Sequence, residues 1–279
     1  MGNYSELESH LRTAQNAKVL ILDTGNIQFY FQHSGVIPQS HIFERFDLVL
    51  IPGWVQAEYA HHSGKVSYIA SLPVPCIILD EVDDYIPLLD YSDKRLMELF
   101  RFASPLSESQ RFFNQYRRME VEDWPDDWID QFYDNGFPTR TTGTLVTKKN
   151  AGEASALTLC FSLLSHYPTQ ISNIAIASSD FGIIKIKDKI AVEANRSSLN
   201  LGIPLAPSIS YMSKDVSMFI ATKEGIIQPH QISALRPNSS SSIYVEHFPD
   251  GTSTIHQHVL ETPDFEAICR NHQRFNMIF

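Results

Sequence analysis

Cysteine is scarce in this chain of 279 residues: Cys76, Cys160 and Cys269 are the full complement. An odd count at wide spacing argues against a disulfide framework or a cysteine-built zinc site, and Cys76 and Cys160 lie in apolar runs that read as packing. A reducing cytoplasm is the expected setting. Long apolar runs are missing too. None approaches the ~20 residues that a membrane span needs, so no membrane partner is expected. The polar first ten residues read as neither a signal peptide nor a myristoylation signal, with Glu6 at the Ser or Thr position. Positive charge is short: 22 Lys and Arg stand against 32 Asp and Glu, a net charge of −10. That balance excludes a protein gripping phosphates by bulk charge and leaves local patches or bound metal ions.

Several catalytic signatures are absent as well. No G-x-G-x-x-G or P-loop follows a strand, and neither H-E-x-x-H nor G-x-S-x-G occurs, which removes dinucleotide, nucleotide-loop, zincin and serine-hydrolase readings. The histidines are scattered and lack a zinc spacing. Asp23-Thr24-Gly25 begins like a phosphatase motif, but the second aspartate two residues on is missing.

What is present is an ordinary globular balance, 43% hydrophobic and 19% charged, in a length that fits one large domain or one and a half. Apolar strands are expected at residues 18–22, 48–51, 76–79 and 174–177, with a further one at 201–205. Helical patterns stand between them. Alternation of this kind predicts an α/β fold, an α/β/α sandwich with a mostly parallel sheet. Asn150 and Glu153 have capping-box spacing at the start of an apolar helix through Leu157, Cys160, Phe161 and Leu164. Gly25 and Asn26 read as a turn. Three strands run into carboxylates, at Asp23, Asp80 and Asp180. The Asp80, Glu81, Asp83, Asp84 run reads as a solvated acidic loop. Glu58 shares a helical face with Val55 and Tyr59, and Glu153 lies one turn before Leu157 on the inward side. Ligands of open α/β sheets bind beyond the carboxyl ends of the strands, so these acids are candidates for one site.

Residues 85–145 are helical, aromatic and charged on both signs, and read as an inserted helical cap. Arg111, Phe112, Phe113, Tyr116, Arg117 and Arg118 interleave cations with rings, as a base-stacking surface does, although an amphipathic helix packed on its own domain gives the same pattern. Residues 238–242 read as a linker. Two strands around Pro249-Asp250-Gly251-Thr252 predict a hairpin in a small C-terminal appendage, 238–279, after a main domain spanning 18–237.

The ordered set V-L-I-L-D-T (19–24), F-D-L-V-L-I-P-G-W-V-Q-A-E (46–58), N-A-G-E-A-S-A-L (150–157), I-A-S-S-D (176–180), A-N-R-S-S-L-N-L-G-I-P-L (194–205) and A-T-K-E-G-I-I (221–227) resembles the PIN-domain family, above all its toxin-like branch. The resemblance covers residues 18–79 and 146 to about 235. It implies a PIN-like fold and metal-dependent cleavage of single-stranded RNA, with Asp23, Glu58, Glu153 and Asp180 holding Mg2+ or Mn2+. Asp23 and Asp180 would be direct ligands, and Glu58 and Glu153 would act through water or position the nucleophile. Thr24 and Ser178 fall at small polar positions of the substrate site. Lys148 and Lys185, with Lys149 and Lys187, are near in sequence and can draw in an RNA strand, although ordinary solubilising lysines give the same pattern. A bacterial toxin or defence role, an antitoxin or other protein partner, and a homo-oligomer go with that branch. A PIN-like scaffold acting through protein interaction is the alternative, and DNA as the substrate is a third.

Overall fold

The computed structural model describes residues 2–142, 145–194 and 209–279. Its described strands are β1 (Ala17–Leu22), β2 (Leu48–Pro52), β3 (Cys76–Leu79), β4 (Thr139–Thr142), β5 (Leu145–Lys148), β6 (Ile171–Ala177), β7 (Ile209–Tyr211), β8 (Ser240–His247), β9 (Ser253–Leu260) and β10 (Phe275–Met277). The central sheet runs β3-β2-β1-β6-β7, and every neighbouring pair is parallel. Its strands are near-continuous apolar runs because both faces are covered.

The period of two in a strand sorts the sheet's side chains into two layers. Val19, Ile21, Leu48, Leu50, Ile174 and Ile176 pack into one. Leu20, Leu22, Val49, Ile51, Ala175 and Ala177 pack into the other. Helices Tyr4–Leu11, Asp93–Ala103, Ala151–His166 and Gly182–Ala194 cover the first face, and Thr24–Gln32, Ser63–Ala70, Lys214–Lys223 and Thr262–Arg270 the second. The result is an α/β/α sandwich. The strand expected at 201–205 lies outside the described residues; the sheet's last described strand is β7.

The Ala151–His166 helix is buried almost all round, as a helix apolar on every side must be. Residues 85–145 pack against it through the helix Asp93–Ala103, the helices Ser107–Tyr116 and Trp128–Gly136 pack on each other, and the β4–β5 hairpin follows. Aromatic rings fill that layer. Trp54 stacks on Phe100 at 5.1 Å, and Phe113 meets Phe132 at 4.4 Å. Phe112, Phe113 and Tyr116 are all buried here. They are therefore closed to bases, and the amphipathic-helix reading of that stretch holds.

Other local expectations change. Gly25 and Asn26 stand inside the Thr24–Gln32 helix, capped by Asp23, rather than in a turn. Asn150 adopts a left-handed backbone, φ 67°, and makes no side-chain cap, so the capping box does not form and Glu153 is released from that duty. The acidic loop after β3 is solvated only in part: Asp80 and Asp83 are exposed, while Glu81 and Asp84 turn inward. Asp84 is fully buried and accepts the N–H groups of Tyr4 and Asp80, both at 2.7 Å. Glu81, also buried, accepts from Trp54 N at 3.0 Å and from Ser155 Oγ at 2.5 Å. A Cβ on residue 53 would lie 2.5 Å from Glu81 Oε2, which is why glycine stands there.

The serines at 240–242 form the start of β8, not a linker. Ser240 and Ser242 donate to Asp215 Oδ2 at 2.8 and 2.7 Å. The expected hairpin is β8–β9, with β10 as a third antiparallel strand beside β8. Tyr244, Leu260, Phe265 and Met277 join the second apolar layer, and Phe279 joins the first.

Candidate functional site

Strand order places the acids. β1 lies between β2 and β6, so the chain leaves the sheet in opposite directions from two adjacent strands, and a crevice opens beyond their carboxyl ends. Leu22 pairs with Ala177 there. Asp23 follows the one and Ser178, Ser179 and Asp180 the other. The Gly53–Tyr59 helix, which follows β2, brings Glu58, and the buried Ala151–His166 helix brings Glu153 from its first turn.

Gly152 marks the point of convergence. A Cβ built on it would lie 3.5 Å from Asp23 Oδ1, 3.6 Å from Glu58 Oε1 and 3.0 Å from Val55 Cγ2. Asp23 and Glu58 thus approach one spot on the helix start, where a Cβ would touch both in ordinary contact and crowd only Val55. Glu153 and Asp180 face a second, smaller hollow of about 110 Å3, shared with Asn150, Ser104 and Ile183.

Electrostatics ties the two halves together. Burial, then the charge of Glu58, pushes the Asp23 carboxyl up to about 6, against the N–H groups of Gly25 and Thr24 and the pull of Lys214. Burial pushes Glu153 up to about 7, with Asp23 and then Asp180 adding to it. Glu58 is raised by burial and by Glu153, while Thr24, Arg140 and Lys65 hold it down. Among the described residues, none of the four acids has a Lys, Arg or His within ion-pair distance. Partly desolvated carboxylates that repel one another without a paired cation form a centre that a divalent ion would stabilise.

The donor set suits Mg2+ or Mn2+: it is all oxygen, and magnesium keeps several waters and takes only one or two carboxylates directly. It is not a closed cage. No three acidic, histidine or cysteine side chains among the described residues cluster tightly enough to hold an ion by themselves. Thr24 Oγ1 is buried at this centre without a hydrogen-bond partner; it lies near enough to Glu58 to lower its pKa but not in bonding geometry. An orphaned hydroxyl beside two carboxylates is a place for a water or a phosphate oxygen.

The remaining expected residues divide. Ser178 is fully buried, and its hydroxyl accepts the Asp180 N–H at 3.1 Å, so it shapes the loop that carries the aspartate. Asp180 is exposed and accepts from Gly182 N at 2.7 Å, at the start of the next helix. Lys148 donates to the Asp134 carbonyl at 2.6 Å and the Thr139 hydroxyl at 3.2 Å, which ties it to the base of the β4–β5 hairpin. Lys185 is solvent-exposed, and Lys187 pairs with Asp188.

Residues the sequence did not single out complete the site. Asn26 is buried, donates to the Met212 carbonyl at 2.7 Å and accepts from Ser179 Oγ at 3.1 Å, so it braces the loops after β6 and β7. Lys65, Arg140 and Lys214 act on the carboxylates from separate elements. No spacing rule connects those three positions; only Asn26, three residues after the Asp23 cap, gave a local signal. Comparison of the chain with protein-family models, with curated proteins and with solved structures yields no match.

Proposed function

We propose that the protein is a metal-dependent ribonuclease of PIN-like kind, acting on single-stranded RNA. The observation that supports this reading is the meeting of Asp23 and Glu58 over Gly152, with Glu153 raised by Asp23 and Asp180 and no cation paired to any of them. A divalent ion, when bound, supplies an activated water and positive charge for a phosphodiester.

The chain's own residues do the rest. Asp23 and Glu58 hold oxygens toward one point from two different elements. Glu153, with a pKa near neutrality, exchanges a proton with water or a leaving oxygen at working pH. Thr24 offers its unpartnered hydroxyl to a phosphate oxygen. Lys214 carries positive charge toward the Asp23 side of the crevice. A toxin or defence role, with a cognate protein partner, belongs to the same proposal.

The test is Asp180→Asn. The amide keeps an acceptor for the Gly182 N–H, so the fold stands, while cleavage of single-stranded RNA in Mg2+ or Mn2+ falls by at least about 100-fold. Cleavage that survives in the variant sinks the site assignment. A second reading, a non-catalytic scaffold, is favoured by the open geometry of the acids, which form no tight three-ligand cluster among the described residues. Calorimetry with Mn2+ separates the two: the ribonuclease binds the ion with a heat that Asp23→Asn removes, and the scaffold gives none.

A further inference from the structure

A larger cavity, about 700 Å3, opens beside the acidic crevice. The Thr24–Gln32 helix, the start of the Lys214–Lys223 helix and residues 234–241 wall it. Its size falls in the range of small-molecule and cofactor sites. Ser179 lines it and is the residue before Asp180, so the cavity and the carboxylates share a wall. Lys214 also lines it, and the same ammonium lowers the pKa of Asp23.

The lining is chemically mixed. On one side the half-buried His33 presents its imidazole, backed by the buried ring of Phe29 with centroids 4.9 Å apart. Gln28 and Gln32, one helical turn apart on the same wall, present amides with no hydrogen-bond partner among the described residues. On the other side Asp215 is fully engaged. It takes Arg236 Nε at 2.9 Å, Arg236 Nη2 at 3.1 Å and the hydroxyls of Ser240 and Ser242. That pair cancels its own charge. Lys214, which makes no ion pair among the described residues, is left as the cation facing the cavity, in a protein whose net charge is −10.

We propose that this cavity binds one nucleotide unit of RNA, the base against His33 and the phosphate on Lys214. A flat ring holds a base by its π-face whatever its sequence, and free amides read its edge. An unpaired ammonium in an acidic protein gives a phosphate a local attraction that bulk charge denies it. The nucleotide is then next to the carboxylates, and an RNA strand seated there has its adjoining phosphodiester in the crevice. The placement of that phosphodiester rests on the ribonuclease reading; the binding of the nucleotide does not.

The experiment is calorimetric titration of the full chain with AMP, CMP and inorganic phosphate in metal-free buffer, together with Lys214→Gln, His33→Ala and Gln32→Ala. At least one mononucleotide binds, at least about tenfold more tightly than phosphate, and Lys214→Gln weakens it by about tenfold. His33→Ala and Gln32→Ala, both changes on an accessible helix face, each weaken it by about threefold or more. Binding of AMP or CMP with the same affinity in all three variants overturns the proposal, as does the absence of any saturable binding to the wild-type chain. A short RNA with a non-hydrolysable backbone that binds more tightly than the mononucleotide assigns the cavity to a strand, and equal affinity assigns it to a free nucleotide. Cleavage of RNA by a chain that binds neither AMP nor CMP overturns the nucleotide site alone. Nucleotide binding by a chain that never cleaves RNA leaves the site standing and removes the ribonuclease reading.

Discussion

Asp23 donates its backbone N–H to the carbonyl of Ala177 at 3.1 Å. This bond, at the last step of the β1–β6 ladder, fixes where two chain segments about 150 residues apart leave the sheet side by side. The carboxylate of Asp23 and the loop carrying Asp180 are neighbours for that reason. Glu58 and Glu153 then enter from two helices that pack on each other at Val55 and Gly152.

Gly152 lies at the point of that convergence. Gly152→Val would put methyl groups against Val55, Asp23 and Glu58 at once. We expect Mn2+ affinity to fall by at least about tenfold, with a stability cost of about 1–3 kcal/mol from overpacking. Calorimetry and urea unfolding of the variant measure both. Unchanged Mn2+ binding would show that the acids meet elsewhere.

Burial makes stability depend on pH. Asp23, Glu153 and Glu81 are pushed up to about 6, 7 and 8, each chiefly by burial. In the unfolded chain carboxyls release their protons near pH ~4. Between those values the folded state holds more protons than the unfolded state, so these groups contribute stability that is lost as pH rises from about 5 to 8. In metal-free buffer, Glu81→Gln and Glu153→Gln should each flatten the fall of Tm across that window, by a few degrees at its upper end. Identical slopes in wild type and variants would contradict the burial.

Glu81 also fastens the insertion to the sandwich. Its carboxyl joins Trp54 N to Ser155, and Ser155 joins Tyr85 OH at 2.7 Å. Removing it with Glu81→Ala strands two buried donors, at about 2–4 kcal/mol. Glu81→Gln, which keeps acceptor and shape, should cost well under half of that. Chemical denaturation of the pair decides; equal losses would mean that the group's polarity is not what holds it.

A second buried tie joins the C-terminal hairpin to the sandwich. Arg236 packs over Phe265 at 4.8 Å and grips Asp215 with two nitrogens. Arg236→Ala leaves Asp215 charged and buried, and should destabilise the chain by about 3–5 kcal/mol. The double change Arg236→Met with Asp215→Leu should recover most of this. Proteolysis within 240–279 should follow the loss and the recovery together, since β8 begins at Ser240 on the same carboxylate.

Much of the fold could be read from the residues in order. Strands buried on both faces are uniform apolar runs, and β1, β2, β3 and β6 appear in the sequence as such, each close to an acid or a proline. The alternation with helices carried the layered architecture, and Pro249-Asp250-Gly251-Thr252 carried the hairpin. The four acids could be named because they follow strand ends or sit on inward helix faces.

Which strands are neighbours was another matter. Period and composition tell how a strand is buried but not beside what, and only the order β3-β2-β1-β6-β7 puts Asp23 next to the Asp180 loop. The same limit governs polar side chains. Glu81 and Lys148 look like surface charges in the sequence, yet one is buried under Trp54 and the other spans the base of a hairpin. Their partners lie on other elements, and a charge goes inward only where distant groups have already been arranged to receive it. The sequence by itself set the layers and supplied the acids; tertiary packing decided their meeting, the empty shoulder at Gly152 and the cavity beyond Ser179, because each is a distance between segments that no local pattern encodes.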